Sequence, residues 1–475
     1  MKRLSSLFLN FLLLSVVTMA GTLEIPNIFS DNMVLQQNSE VKLWGQGEPG
    51  STVNFKTGWI EKSLSVQVDI NGTWEANIKT PGAGGPHMIS ISSGNDIITL
   101  NNILIGEVWI CAGQSNMSMP VKGFQSQPIL DSQDAIVESN SYPEIRMFTA
   151  ERSISSIPEF NVKGNWQCAS INTTGSFSAV GYFYALELYK TLQVPIGIIN
   201  LSWGGSNAQA WMSLDLLKTF PEIEISAINM KSKSPQRIPT ALFNAMFYPI
   251  SRYNVKGIIW YQGENNIVDY DLYSKIFPAM VNEWRKYLNQ EDIPFYYVQI
   301  APYKYSGSRN RESAFLREVQ FRSQYIIPNS GMVTTGDIGE EELIHASNKR
   351  MISKRLSYYA LKKNYGFNNL SCSSPIYRKM EITGNKITIT FDFADGGLVI
   401  KGNPENTFEI AGKDGIFYPA KAKVHQQYGD KIEIWSEQVS QPENVRYCFK
   451  NYFSSTIFNS FMNPASPFRT DSYEK

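Results

Sequence analysis

The stretch Ile105-Gly106-Glu107-Val108-Trp109-Ile110-Cys111-Ala112-Gly113-Gln114-Ser115-Asn116 decides the fold. Residues 105–112 form an apolar run that reads as a buried strand, and the run stops at a small, polar Gly-Gln-Ser-Asn block. Ser115 is therefore expected at the carboxyl end of a strand, the place where open α/β sheets hold their ligands. A nucleophile belongs at such a position. Further apolar runs at residues 195–201, 255–261, 295–300 and 331–335 alternate with segments of helical period. Together they predict βαβ units around a mainly parallel five-stranded sheet.

The helical segments are legible from their stripes. Val180, Tyr184, Leu188 and Leu192 recur every four residues; Leu272, Tyr273, Ile276, Phe277, Met280, Val281 and Trp284 form a second stripe, expected to kink or restart at Pro278. A third, with Ile352, Leu356, Tyr359 and Ala360, should dock the loop that carries His345. On either side of this unit the pattern is β. Residues 22–103 alternate short runs with turn signals such as Glu48-Pro49-Gly50, Asn71-Gly72 and Gly94-Asn95-Asp96, which suggest a sandwich. From about 370 the chain returns to alternating segments, as in Lys386-Ile387-Thr388-Ile389-Thr390-Phe391. The expected division is 1–21 leader, 22–103 β-sandwich domain, 104–368 α/β domain and 369–475 C-terminal β domain.

Composition narrows the function classes. The 43 basic residues balance the 43 acidic ones, so no global field favours nucleic acid or an anionic membrane. Lys2 and Arg3, a mostly apolar stretch over residues 7–19 and the small Ala20 and Gly21 read as a secretory signal peptide, so export to the periplasm or the extracellular space is expected. No later segment approaches the ~18 apolar residues of a membrane span. Cys111, Cys168, Cys372 and Cys448 lie too far apart for a zinc or iron-sulfur motif, and no metal or cofactor is expected. Cys372 and Cys448 could pair in an oxidising compartment; four buried free thiols are the plainer alternative. Aromatic residues make up 13% of the chain, and ordinary β-sheet packing accounts for most of them.

The later runs close on polar blocks of their own: Asn200-Leu201-Ser202-Trp203-Gly204-Gly205-Ser206, Trp260-Tyr261-Gln262-Gly263-Glu264-Asn265-Asn266, and Asp337-Ile338-Gly339-Glu340-Glu341-Glu342-Leu343-Ile344-His345. This ordered set resembles the SGNH hydrolase superfamily and, within it, the sialate O-acetylesterase family. The resemblance extends back to Asp31-Asn32-Met33-Val34-Leu35-Gln36-Gln37 with Trp44-Gly45, and forward to Ala465-Ser466-Pro467-Phe468-Arg469-Thr470-Asp471. It implies a three-layer α/β/α hydrolase domain and a serine esterase that removes O-acetyl groups from sialic acid, the 9 position first. Related enzymes of the superfamily deacetylate xylan and other plant polysaccharides. A non-catalytic carbohydrate-binding protein is the distant alternative, because it leaves the ordered Ser/His blocks without a purpose.

Ester hydrolysis by serine needs a base, a group that orients the base, and donors for the oxyanion. Of three histidines, His87 and His425 fall in the β segments and only His345 lies in the α/β unit with Ser115. The resemblance implies an acid three residues before the histidine; that position holds Glu342, one methylene longer than the usual Asp. Asp337 and a backbone carbonyl are the alternatives for orienting His345, and a solvated loop is the plain reading of the Glu340-Glu341-Glu342 run. Oxyanion donors are expected from the N–H groups of Ser115 and of Gly204 or Gly205, completed by the side chain of Gln262 or Asn265. Trp203, Gln209, Trp211 and Arg317 lie in or near strand-end loops and are candidate sugar contacts, with ordinary packing the alternative for each. Arg317 would face a sialate carboxylate or pair with a neighbouring acid.

Overall fold

The apolar run becomes the second half of a single 18-residue strand, β1 (Asp96–Gly113), in the computed structural model, which describes residues 22–305 and 312–472. The expected leader lies outside the described residues. Around β1 the central sheet adds β2 (Ile145–Thr149), β3 (Trp166–Cys168), β4 (Ile196–Ser202), β5 (Gly257–Tyr261), β6 (Phe295–Val298) and β7 (Ser330–Val333). Their order is β7-β6-β5-β1-β4-β2-β3. Every pairing is parallel except β2 with β3. The five expected strands are joined by a sixth parallel one, β2. Its short Ile-Arg-Met-Phe-Thr run carries a charge that masks it in sequence. The Arg146 side chain is nevertheless buried, donating to the carbonyls of Pro143, Asn32 and Asn102.

Alternation along β1 sorts the layers. Val108, Ile110 and Ala112 face one core with helix α2 (Tyr270–Tyr287) and helix α3 (Glu312–Ser323), whereas Trp109 and Cys111 face the other with helix α1 (Ala179–Leu192) and helix α4 (Lys349–Asn364). The result is three layers, α/β/α. Helix α2 runs through Pro278 without restarting, its apolar stripe from Tyr273 to Trp284 buried along one core. Crossovers from β1 go one way to β2 and β4 and the other way to β5, β6 and β7. The carboxyl ends of β1, β4 and β5 therefore surround the point where the winding reverses, which is where such sheets bind ligands.

The first half of β1 belongs to the N-terminal β region, pairing antiparallel with Gly84–Ser93 and parallel with Val34–Gln36. One strand thus runs straight through the expected boundary at 103/104. Partners change at Gly106, where a Cβ would lie 2.0 Å from the Pro195 carbonyl oxygen; only glycine allows the chain past. At the other end, the four-stranded sheets built on Lys386–Asp392 and on Phe408–Ala411 pack face to face through Ile387, Ile389, Ile432, Ile410 and Val445. All four cysteines are free. Cys372 packs in a core of the α/β unit and Cys448 in the C-terminal sandwich, so the disulfide left open by the sequence does not form. No helix among the described residues is long and apolar enough to cross a membrane.

Candidate active site

The end of β1 is built for close approach. Gly113 has φ +140°, and a Cβ there would lie 2.2 Å from the Tyr261 carbonyl oxygen. The next residue, Gln114, donates its N–H to that oxygen at 3.0 Å. Its side-chain Oε1 accepts the N–H groups of Gly263 (3.2 Å) and Asn265 (3.3 Å), tying the block after β1 to the block after β5. A single helical turn, Ser115–Ser118, follows; Asn116, Met117 and Ser118 are buried and Ser115 is partly exposed. The loop after β4 closes the other side, with the Cβ position of Gly204 3.4 Å from Ser115 Cβ. The backbone N–H groups of Ser115, Gly204 and Gly205 make no hydrogen bond to any described residue, so three donors are left uncommitted in the two loops that meet at Ser115.

His345 reaches this place through its neighbour. Asn116 Nδ2 donates to the Ile344 carbonyl at 3.1 Å, which brings the residue after Ser115 against the residue before His345. The imidazole stands edge-on to Phe124, centroids 5.3 Å apart, and its Nδ1 faces Gln127 Oε1. Phe124 and Gln127 arrive together because they exchange backbone hydrogen bonds at 3.1 Å across a tight hairpin. An amide oxygen can only accept, so Nδ1 carries the proton and Nε2 is left as the acceptor. Burial, and secondarily the Lys349 ammonium, push the His345 pKa down to about 4, so the imidazole is neutral at pH 7.

Neither acid expected at His345 is there. Glu342 is 80% exposed and pairs with Lys304 Nζ at 3.6 Å, beside Glu341 at 3.0 Å. The cause is local: Lys304 N–H holds the Glu341 carbonyl at 3.1 Å, turning the acidic run outward before α4 begins at Lys349. Asp337 grips Arg355 with both oxygens, at 2.8 and 2.7 Å. Glu340 accepts the Ser347 N–H at 2.7 Å and braces the loop.

The carboxylate that does enter the site comes from the β5 block. Glu264 Oε1 lies 2.5 Å from Asn116 Nδ2, and Lys349 Nζ donates to Asn116 Oδ1. Asn116 is thus held at both ends of its amide. Burial pushes the Glu264 carboxyl up and the Lys349 ammonium down to about 7, and Glu264 Oε2 is buried without a partner among the described residues. Sequence reasoning missed Gln127 and Lys349; the spacing of these residues carries no local pattern.

Among the oxyanion candidates, Gln262 is fully buried and both its N–H groups are committed, to the Ser206 carbonyl (3.3 Å) and Asn266 Oδ1 (2.7 Å). It pins the loop and has no donor for an oxyanion. Asn265 gives one N–H to the Gly205 carbonyl, accepts Arg237 Nη2 at 3.2 Å, and keeps its second N–H. Of the sugar-contact candidates, Trp203 is half-buried at the strand end. Gln209 lines an adjoining cleft while accepting from Asn266 at 3.0 Å. Trp211 is fully buried against Trp260 and Trp284, its indole N–H on Ser206 Oγ at 3.0 Å. Arg317 is 1% exposed, donating to the Lys450 and Asn451 carbonyls under the Phe453 ring, so it joins α3 to the C-terminal region. Those two side chains are too deep to meet a sugar.

Comparison with known proteins follows the same outline. A family model described as carbohydrate esterase, sialic acid-specific acetylesterase, matches residues 105–360. The sialate O-acetylesterase of Mus musculus is 28% identical, with 81% of each chain covered. That of Homo sapiens is also 28% identical, covering 80% of this chain and 78% of its own. A carbohydrate acetylesterase from Xanthomonas citri, solved by crystallography, is 32% identical with a TM-score of 0.86, covering 95% of this chain and 100% of its own.

Proposed function

The chain belongs to the sialic acid-specific acetylesterase family of carbohydrate esterases and is a carbohydrate O-acetylesterase; we propose that it works through Ser115 and His345, in an SGNH-type site, on O-acetylated sialic acids outside the cytoplasm. The observation that supports this reading is the hydrogen bond from Asn116, the residue after the partly exposed Ser115, to the carbonyl of Ile344, the residue before a neutral histidine whose Nδ1 is occupied. Ser115 Oγ attacks the acetyl carbonyl carbon as His345 Nε2 takes the hydroxyl proton. The tetrahedral oxygen is met by the free N–H groups of Ser115, Gly204 and Gly205 and by Asn265. Collapse expels the sugar oxygen, which takes the proton from His345, and leaves an acetyl-serine. A water molecule then gives His345 a proton as its oxygen attacks that ester; the second tetrahedral adduct collapses, Ser115 Oγ takes the proton back from His345, and acetic acid leaves and ionises to acetate.

Gln127 supports this cycle by fixing the tautomer, as an orienting carboxylate does elsewhere. A neutral amide gives little charge stabilisation to the imidazolium, which fits a depressed pKa. Export rests on the basic and apolar pattern of the first 21 residues. Acetate release from 9-O-acetyl sialic acid, acetylated xylo-oligosaccharides and an aryl acetate tests the substrate. A kcat/KM for the sialic acid ester at least ~10-fold above that for the xylan fragments is expected, the gap made by one or two polar contacts. The opposite order would make the protein a plant-polysaccharide acetylesterase with the same chemistry.

A further inference from the structure

Beside the candidate site lies a cleft of ≈ 490 Å³ whose wall includes Asn207, Gln209, Glu224, Arg237 and Asp269. We propose that this cleft is a subsite for an uncharged sugar residue linked to the acetylated one, so that the enzyme acts on glycan chains in preference to monosaccharides. The proposal rests on the reading of Ser115 as the residue that takes the acetyl group.

Position is the first argument. The Cβ position of Gly204 lies 3.4 Å from Ser115 Cβ, and the carbonyl of the next residue, Gly205, accepts Arg237 Nε at 3.3 Å. Arg237 Nη2 also holds Asn265 Oδ1, so the oxyanion wall and the cleft share one side chain. The cleft therefore adjoins the Gly204–Gly205 wall of the site, within reach of a sugar linked to one whose acetyl group meets Ser115.

Lining chemistry is the second. The volume falls within the roughly 300–1,000 Å³ of small-molecule sites. Carboxylates and amides that accept hydrogen bonds suit sugar hydroxyls, and Ile228 and Leu272 offer an apolar surface to the C–H face of a ring. One acceptor, Asn207 Oδ1, is buried without a hydrogen-bond partner among the described residues, which is costly unless a ligand or water completes it. Charge is the third argument. Glu222 is paired with Lys275 at 2.5 Å, which leaves Glu224 and Asp269 with Arg237 as the one cation among the described residues that line the cleft. A second anionic group is repelled from such a pocket, whereas a neutral hexose or pentose is not.

The test compares chain with monosaccharide in two series: 9-O-acetyl sialic acid against 9-O-acetyl sialyllactose, and acetylated xylose against acetylated xylotriose. The expected result is a kcat/KM at least ~10-fold higher for the chain, mostly through KM, in whichever series the enzyme hydrolyses. Glu224→Gln and Asp269→Asn, isosteric changes at the surface, should each lower the chain-to-monosaccharide ratio by at least ~3-fold, about 0.65 kcal/mol. Lactose, which has no acetyl ester, should inhibit the wild-type enzyme competitively. Inert sialosides with a chain preference in the xylose series would remove the sialic acid reading and leave the cleft standing. A ratio near one in the hydrolysed series, or variants that depress chain and monosaccharide alike, would overturn the subsite.

Discussion

The loop after β5 places a carboxylate against the residue next to the candidate nucleophile, whereas the loop after β7, with three consecutive glutamates just before His345, sends its charges elsewhere. Glu264 reaches Asn116 across 148 positions of sequence. Glu342, three positions from His345, points at Lys304. The difference lies in what each loop is fastened to. Gln114, Gln262 and Asn266 hold the first to the segments that follow β1 and β4 through buried hydrogen bonds, so its side chains have one place to go. The second is anchored through Glu340 and the Lys304 N–H, and its Glu341 and Glu342 carboxylates remain in water, where ionised groups are cheapest. Sequence proximity to a histidine therefore says less about its partner than the buried hydrogen bonds of the loop do.

The largest effect that could break this comparison is at the reacting pair. Ser115→Ala and His345→Ala should each lower acetyl-ester turnover by at least ~10³-fold, and the double variant should be no worse than either, since the two act as a unit. Retention of a tenth of the activity in a folded variant would remove that residue from the mechanism.

The orienting partner is next. Gln127→Ala should lower kcat by ~10- to 100-fold, because the imidazole loses the acceptor that sets its tautomer. Glu342→Gln should change it by less than ~2-fold, being exposed and distant. The reverse ranking would restore the acid expected from sequence. The pH profile sharpens the point. His345 acts as a base only when neutral, so a pKa near 4 puts the acid limb of kcat/KM near pH 4, with activity lost below it and kept above. Gln127→Glu sets a carboxylate beside the imidazole, favours the protonated form and should move that limb to higher pH. An unmoved limb would mean that Gln127 does not face the titrating group.

The smallest effect on catalysis belongs to Asp337. Asp337→Asn leaves the buried Arg355 without its charge partner and should lower stability by about 2 kcal/mol in urea denaturation, with kcat nearly unchanged. A large loss of kcat with unaltered stability would return Asp337 to the catalytic machinery.

Much of the architecture was legible because it is written in local periods. The apolar run at residues 105–112 identified the central strand, and the four-residue spacing of Val180, Tyr184 and Leu188 identified a helix that buries all three. Strand β2 was not legible: five residues with an arginine among them make no pattern until Arg146 is seen capping carbonyls from Pro143, Asn32 and Asn102. The Ser115, His345, Gly204 and Asn265 positions could be nominated because each follows an apolar run. Arg317 and Trp211 could be nominated on the same ground and are buried instead, since proximity to a strand end does not say which way a side chain turns.

By itself, then, the amino-acid sequence determined the α/β core and the blocks that close its strands, because apolar period and strand-end composition are properties of neighbouring residues, and the order of those blocks carried the family resemblance. The tertiary structure alone decided that Gln127 meets His345 across 218 positions, that Glu264 and Lys349 clamp Asn116, and that Gln262 has no proton to offer. Those pairings depend on which buried donors and acceptors the packing brings within about 3 Å of one another. No spacing along the chain encodes them.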